Sequence, residues 1–383
     1  MHDSKPGSAP YQNPVEVIWG TGALAQLPQS LENSESILLL YGRASLRSSS
    51  AYDTVMKSLE GRHVTHLGGI TPLPDVRDLA EVLDRSRLTR FDTILAVGGG
   101  SVIDTAKVVK AFNGGTTETA DDLRSAIRSA SYAIGSSPII AVPTIAGSGS
   151  EVTRWATVWD RELALKYSVD DPALYPRTAI VDPSLTETLQ VRAAIISAMD
   201  ALCHATEAYW ANGSNELSRI RSLAAIPELL KGITELLSLE GQVDARRARE
   251  RLSAGSLMAG EAFSHTRTTA CHAISYPLSL HFGIEHGIAT VMTLSAVLAL
   301  NVLAISDPSA LFKALGISEP VALQQQLDRA AAKAGFSLKL RDYGVPRHAL
   351  QAIVPQCYTK GRMDNNPVPL EERTILSILE AIY

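Results

Sequence analysis

The stretch Thr93-Ile94-Leu95-Ala96-Val97-Gly98-Gly99-Gly100-Ser101-Val102-Ile103-Asp104-Thr105-Ala106-Lys107 decides the fold of this chain. The apolar run Thr93–Val97 predicts a buried strand, the three glycines a turn, and the segment from Val102 to Phe112 a helix. Consecutive glycines let a backbone approach a pyrophosphate without Cβ clashes, and the free amides and dipole of the following helix attract its charge. Ser101 and Asp104 also have the spacing of a capping box, with Asp in place of the usual Glu or Gln. A lone GGGS serves equally well as a tight turn. Here a second loop, Pro143-Thr144-Ile145-Ala146-Gly147-Ser148-Gly149-Ser150, follows the next strand-like run, Ile139–Val142. Two glycine- and hydroxyl-rich turns therefore fall on one carboxyl edge of a sheet, the edge where ligands bind.

Outward from this stretch, short apolar runs alternate with amphipathic segments from Val15 to about Asp182. Ile37–Tyr41, His63–Leu67 and Thr93–Val97 read as strands, and Ser49–Leu59, Val76–Leu88 and Val102–Phe112 as helices. That alternation predicts an α/β domain with a doubly wound parallel sheet. After Asp182-Pro183 strand signals almost vanish and Ala/Leu-rich segments run to Tyr383, so the second half is expected to be all-helical. We place the boundary near residue 185, giving a dinucleotide-binding domain over 1–185 and a helical domain over 186–383. Residues 1–12 are polar and are expected to lack order.

The 383 residues are 45% hydrophobic and 20% charged, enough for two domains with separate cores. A net charge of -5 without a dense Lys/Arg run argues against a nucleic-acid partner. Cys203, Cys271 and Cys357 form no CxxC pair and are too few for a disulfide framework, which fits a reducing interior. The amino terminus carries no secretory signal pattern, and the apolar run Ile288–Leu303 is interrupted by Thr290, Thr293, Ser295 and Asn301. A cytoplasmic protein that spans no membrane is expected.

After the second strand, the loop Tyr41-Gly42-Arg43-Ala44-Ser45 lacks the carboxylate that would hold an unphosphorylated adenosine ribose. A cation beside small hydroxyl residues suits a 2'-phosphate, so Gly42 and Arg43 point to NADP in preference to NAD.

In the helical half, Met199-Asp200-Ala201-Leu202-Cys203-His204-Ala205-Thr206-Glu207 puts Asp200 and His204 four residues apart, on one helical face. Later come Cys271-His272-Ala273-Ile274-Ser275-Tyr276-Pro277, read as ending a helix at the proline, and Glu285-His286-Gly287. One carboxylate and three imidazoles, Asp200, His204, His272 and His286, suit a single Fe(II) or Zn(II) ion without thiolate ligands. His63, His66 and His348 have no partner at ligand spacing and read as ordinary histidines.

Together these motifs make the chain similar to the iron-containing (group III) alcohol dehydrogenase family. The resemblance rests on Gly98-Gly99-Gly100-Ser101 with Asp104 and Lys107, Pro143 to Thr153, Asp182-Pro183, Asp200 to Glu207, and the His272 to His286 segment. It implies that Asp200, His204, His272 and His286 hold the metal. It implies that Gly98, Gly99, Gly100, Ser101, Asp104, Thr144 and Ser148 hold the dinucleotide, with Lys166 near it. It also implies a homodimer through an edge strand near the amino terminus. Many members place a second histidine, with a proton-transfer role, where this chain has Tyr276; Tyr276, His281 or a water chain would then take over that role. The segment Thr266 to Leu278 resembles the branch that reduces phosphonoacetaldehyde to 2-hydroxyethylphosphonate, a step of phosphonate biosynthesis. Arg267 and Thr268 are expected to bind that anionic head, although Arg267 reads equally as a structural cation.

The expected chemistry is reversible, metal-assisted reduction of a small aldehyde by NAD(P)H. Alternatives are a reductase of another small aldehyde or oxoacid, as in maleylacetate reductases, a lyase of the dehydroquinate-synthase type, and a non-catalytic dinucleotide sensor.

Overall fold

The computed structural model describes residues 13–43, 46, 49, 51–115, 118–238 and 245–383. The terminal residues 1–12, expected to lack order, and Ala44 and Ser45 of the Arg43 loop lie outside them.

Among the described residues eight strands form in the first half: β1 (Glu16–Trp19), β2 (Ser36–Gly42), β3 (His63–Ile70), β4 (Thr93–Gly98), β5 (Ile139–Pro143), β6 (Trp155–Asp160), β7 (Leu165–Asp170) and β8 (Thr178–Val181). Six of them make one parallel sheet in the order β1-β8-β5-β4-β2-β3. The apolar runs are continuous because both faces are covered. Leu38, Leu40, Ile94, Ala96, Ile139 and Ala141 pack on one side against helices Val76–Arg87 and Gly100–Phe112. Their neighbours Ile37, Leu39, Leu95, Val97, Ile140 and Val142 pack on the other against Leu24, Leu27, Ala51 and Val55. The doubly wound sheet expected from the sequence is thus present. Strand order reverses between β2 and β4, which opens a crevice at their carboxyl ends, the position where open α/β sheets bind ligands.

One departure concerns β6 and β7, which pair antiparallel as a separate hairpin instead of continuing the sheet. The hairpin lies over helix Gly100–Phe112 and carries Trp159 and Lys166.

After β8 every regular element among the described residues is helical, from Pro183–Thr186 to Glu372–Ala381. The long helices Val191–Trp210, Glu216–Ser238 and Ala245–Thr266 pack on one another. Pro277 does not end its helix. Ala270–Phe282 runs through it and stops at Gly283, whose φ of +65° is the left-handed cap. A proline removes one N–H bond, and here buried residues on both sides of it hold the helix in place. The apolar stretch His286–Ala304 passes a membrane-span test by length and composition, yet it breaks at Met292 and Thr293 and is mostly buried within the molecule.

The second glycine loop is wedged between the halves. Gly149 has φ +60°, and a Cβ there would lie 2.5 Å from the Gly260 Cα of helix Ala245–Thr266. Beneath it sits Lys107, fully buried. Its Nζ donates to Ser150 Oγ (2.8 Å), Thr153 Oγ1 (3.2 Å) and the Trp155 carbonyl (2.9 Å), with Asp104 at 3.9 Å. Asp104 in turn accepts from Ser150 Oγ (2.5 Å) and the Thr157 amide (2.9 Å). Burial lowers the Lys107 pKa to about 8, against the opposing pull of Asp104. The pair ties the glycine-turn helix to the second loop and to β6.

Replacing Lys107 by Met would leave Asp104 buried without its cation and three acceptors without a donor. We expect a loss of about 2–4 kcal/mol in urea unfolding; an unchanged midpoint would show that the strut contributes nothing to stability.

Candidate active site

Gly99 is the N-cap of helix Gly100–Phe112 and offers no side-chain cap, so the first amides of the helix are free for an anion. The expected Ser101–Asp104 capping box is absent. Ser101 Oγ instead accepts from the Leu73 amide (3.2 Å), and both Asp104 oxygens are engaged by Ser150 and Thr157. Asp104 therefore acts as a strut at the cavity edge, because its carboxylate is used up inside the protein. The two glycine turns touch: a Cβ at Gly100 would lie 2.5 Å from Ser148 Oγ. Gly100, Ser101 and Ser148 line the cleft, whereas Thr144 is buried below it with its amide on the Gly98 carbonyl (3.1 Å). Gly42 ends β2 beside β4, and the exposed Arg43 follows on the same edge.

A cavity of about 270 Å³ continues from this cleft between the halves. Asp200 and His204 come from helix Val191–Trp210, His272 and Tyr276 from Ala270–Phe282, and His286 from the start of the next helix. Single ligand atoms of Asp200, His204 and His272 lie within 4.8 Å of one another. His272 Nε2 is 3.6 Å and His286 Nε2 4.0 Å from Asp200 Oδ1.

Each imidazole is oriented through its other nitrogen. His204 Nδ1 donates to the Gly147 carbonyl (3.3 Å), and His272 Nδ1 to Glu207 Oε2. His286 Nδ1 faces Ser275 Oγ at 3.4 Å, and that hydroxyl spends its own proton on the His272 carbonyl (2.7 Å). With Nδ1 the oriented nitrogen of each ring, deprotonated Nε2 atoms are what the imidazoles can offer a cation, and those of His272 and His286 face Asp200. His272 Nε2 is buried with no hydrogen-bond partner. An orphaned nitrogen beside two further imidazoles and a carboxylate is a donor set that fits one divalent cation.

The electrostatics agree. Burial opposes ionisation of Asp200, but the surrounding imidazoles hold its carboxyl well below the usual carboxylate range. Burial pushes His204 and His286 down to about 4, so both are neutral ligands at pH 7. His272 goes the other way against its burial, because Glu207 and Asp200 raise it to about 9. The neighbouring Cys203 and Cys271 thiols are pushed up by burial and stay protonated.

Glu207 was not singled out from the sequence, although it continues the stripe Asp200, His204 at the next helical turn. It also accepts from Thr269 Oγ1 (2.8 Å) and the Cys271 amide (2.7 Å), which locks the two ligand helices together. Arg362 was missed as well, and no local pattern announces it. It arrives from a loop far along the chain, is 5% exposed and lines the cavity.

Tyr276 lies in the cavity, its ring stacked on His286 (5.9 Å between centroids, 11° between planes), and Lys166 Nζ sits 4.9 Å from its ring centre. Thr268 lines the same wall. Two expectations are corrected. His281 is exposed on the far face of its helix, bonded to Gln356 Oε1 (2.5 Å), and cannot relay a proton at the cluster. Arg267, with φ +63°, is not among the residues lining the cavity, and its guanidinium is paired with Asp170 and set against Trp155.

Comparison with known proteins meets this geometry directly. The family profile "Iron-containing alcohol dehydrogenase" matches residues 14–183, and "Fe-containing alcohol dehydrogenase family, C-terminal" matches 194–383. The chain belongs to the iron-containing alcohol dehydrogenase family. It is similar to the phosphonoacetaldehyde reductase of Streptomyces viridochromogenes, 36% identical over 250 residues, 64% of this chain and 61% of that relative's length. The long-chain-alcohol dehydrogenase 1 of Geobacillus thermodenitrificans is 30% identical over 95% of this chain and 94% of its own. In fold, the chain matches the NAD+-bound sulfoacetaldehyde reductase of Bifidobacterium kashiwanohense (TM-score 0.85, 24% identity, 98% of this chain and 99% of that one). The family is one of alcohol dehydrogenases, so the sequence expectation of an oxidoreductase holds.

Replacing Glu207 by Gln should weaken cation binding about 10- to 100-fold in competition with a chelator; unchanged affinity would show that Glu207 does not orient His272. Because His272 is raised towards 9 in the metal-free site, a cation must displace its Nε2 proton. Binding at pH 7–8 should therefore release about one proton and tighten as pH rises, read by calorimetry in buffers of different ionisation heat. No proton release would contradict that charge state.

Proposed function

We propose that the chain reduces a small aldehyde to its alcohol, reversibly, with Asp200, His204, His272 and His286 holding one divalent cation, Fe(II) or Zn(II). The observation that carries this reading is the convergence of Asp200, His204 and His272, with His286 Nε2 4.0 Å from the same carboxylate, on the cavity below the glycine turns. When bound, the cation supplies Lewis acidity at the carbonyl oxygen and NAD(P)H supplies the hydride, so no side-chain nucleophile is required.

The protein's own part is placement and exclusion of water. The free amides after Gly99 and the hydroxyls of Ser101 and Ser148 receive the dinucleotide phosphates. Trp159, Phe263 and Tyr276 wall the cavity with aromatic surface, which strengthens electrostatic interactions inside it. The Tyr276 hydroxyl is the side-chain group placed to hold the proton that the product oxygen takes up, with burial keeping it protonated at neutral pH. Arg43, exposed on the adenosine side and without a carboxylate beside it in sequence, supports NADP over NAD. The edge strand β1, bonded among the described residues only to β8 and exposing Trp19, is where a homodimer would form.

The test is NAD(P)H oxidation, followed by absorbance, with metal-loaded protein and short aldehydes. Turnover should be faster with NADPH than with NADH, vanish on chelation and return with added Fe(II) or Zn(II). Full turnover with no metal found by elemental analysis would end this mechanism. Aldehyde-independent activity with no net NAD(P)H consumed would favour the lyase alternative.

A further inference from the structure

The cavity that holds the ligand cluster also holds two basic side chains that the proposed reduction does not use. Arg362 is 5% exposed. One terminal nitrogen donates to the Gly361 carbonyl (2.9 Å), and its Nε is buried with no partner. Thr268, 3% exposed, presents an equally unpartnered Oγ1 on the same wall, and the Tyr276 hydroxyl faces both residues. Lys166 projects over the Tyr276 ring, its Nζ bonded to Ser168 Oγ (2.7 Å). Among the described residues no carboxylate lies within ion-pair distance of Lys166 or Arg362. The contrast with their neighbours is informative. Asp170 pairs with both Arg154 (2.8 Å) and Arg267, and so is not available to Arg362.

A buried guanidinium with an empty donor position is costly unless a ligand completes it. Its fork matches a tetrahedral oxyanion, and a threonine hydroxyl and an ammonium beside it are the usual companions. Tyr276 links this corner to the ligand cluster, since its ring stacks on His286. A molecule whose carbonyl lies at the cluster and whose head lies at Arg362 must be short, given a cavity of about 270 Å³.

We propose that Arg362, Lys166 and Thr268 form an oxyanion pocket, so that the substrate is a short aldehyde bearing a phosphonate or sulfonate head. This rests on the aldehyde-reductase reading and moves the anion site from Arg267 to Arg362. Arg362 supplies charge, and Lys166 and Thr268 supply N–H and O–H donors; burial and the neighbouring Arg362 hold the Lys166 amine well below the usual lysine range. An uncharged aldehyde of the same length brings no acceptor for the Arg362 Nε or the Thr268 Oγ1.

The test compares phosphonoacetaldehyde, sulfoacetaldehyde and propanal with the metal-loaded wild type, Arg362→Met and Arg362→Lys. The wild type should favour at least one anionic aldehyde in kcat/KM. That preference should fall about 10- to 100-fold in Arg362→Met, mostly through KM, and recover in part in Arg362→Lys. The relative rates on phosphonate and sulfonate identify the head. In parallel, calorimetry with ethylphosphonate and ethanesulfonate reads binding without turnover, and binding should be lost in Arg362→Met. Equal wild-type rates on propanal and both anions, or a preference that survives Arg362→Met, would overturn the pocket while leaving the reductase reading intact. Anion binding that depends on Arg362, with no aldehyde reduced, would do the reverse. Weakened NADPH binding in Arg362→Met with unchanged anion preference would assign the cation to the cofactor and overturn the proposal. If Arg362→Met does not fold, the wild-type preference and Arg362→Lys decide.

Discussion

The orientation of three imidazole rings governs this structure. An imidazole offers one lone pair only when its other nitrogen carries the proton, so a cluster of histidines becomes a cation site only if every Nδ1–H has an acceptor. Here the acceptors come from three different places: the Gly147 carbonyl of the second glycine loop, the Glu207 carboxylate of the first ligand helix, and Ser275 of the second. None is free to move alone. Gly147 lies against Ser197, where a Cβ would come within 2.8 Å of the Ser197 side chain, and Glu207 also holds Thr269 and Cys271. The site's tautomers are therefore a consequence of how the two halves pack.

That coupling runs through the second glycine loop. Gly147 to Ser150 touches the phosphate turn on one side, the ligand helices on another, and the Lys107–Asp104 strut beneath. A loop that touches the glycine turn and also orients His204 makes the geometry of that turn and of the ligand cluster parts of one assembly. The crevice arises where strand order reverses between β2 and β4, and the helical half closes over it. The β6–β7 hairpin adds the remaining wall, bringing Trp159 and Lys166 over Tyr276.

Charge is distributed by the same packing. Asp170 on β7 absorbs Arg154 and Arg267, and Asp160 absorbs Arg124, so the cations around the hairpin are largely neutralised. Lys166 and Arg362 are left facing inward. The same burial that keeps two imidazoles neutral lowers Lys166 well below the usual lysine range, and among the described residues it leaves the Arg362 guanidinium without a carboxylate partner.

From the sequence alone came the features with short periods. Alternating strands and helices, glycine turns at strand ends and the four-residue spacing of Asp200 and His204 are local patterns, because burial on a sheet or one helical face imposes a period on the chain. Glu207 was within reach of the same reasoning, one turn further along that stripe. The tertiary structure alone decided the rest. Arg267 and His281 looked suitable in sequence, yet the backbone turned one towards Asp170 and set the other on a solvent face, since a side chain's direction depends on what packs around its helix. Arg362 reached the cavity from a loop with no pattern of its own. Contacts between residues far apart in the chain leave no periodic trace, so only the folded arrangement shows which cation faces the cavity.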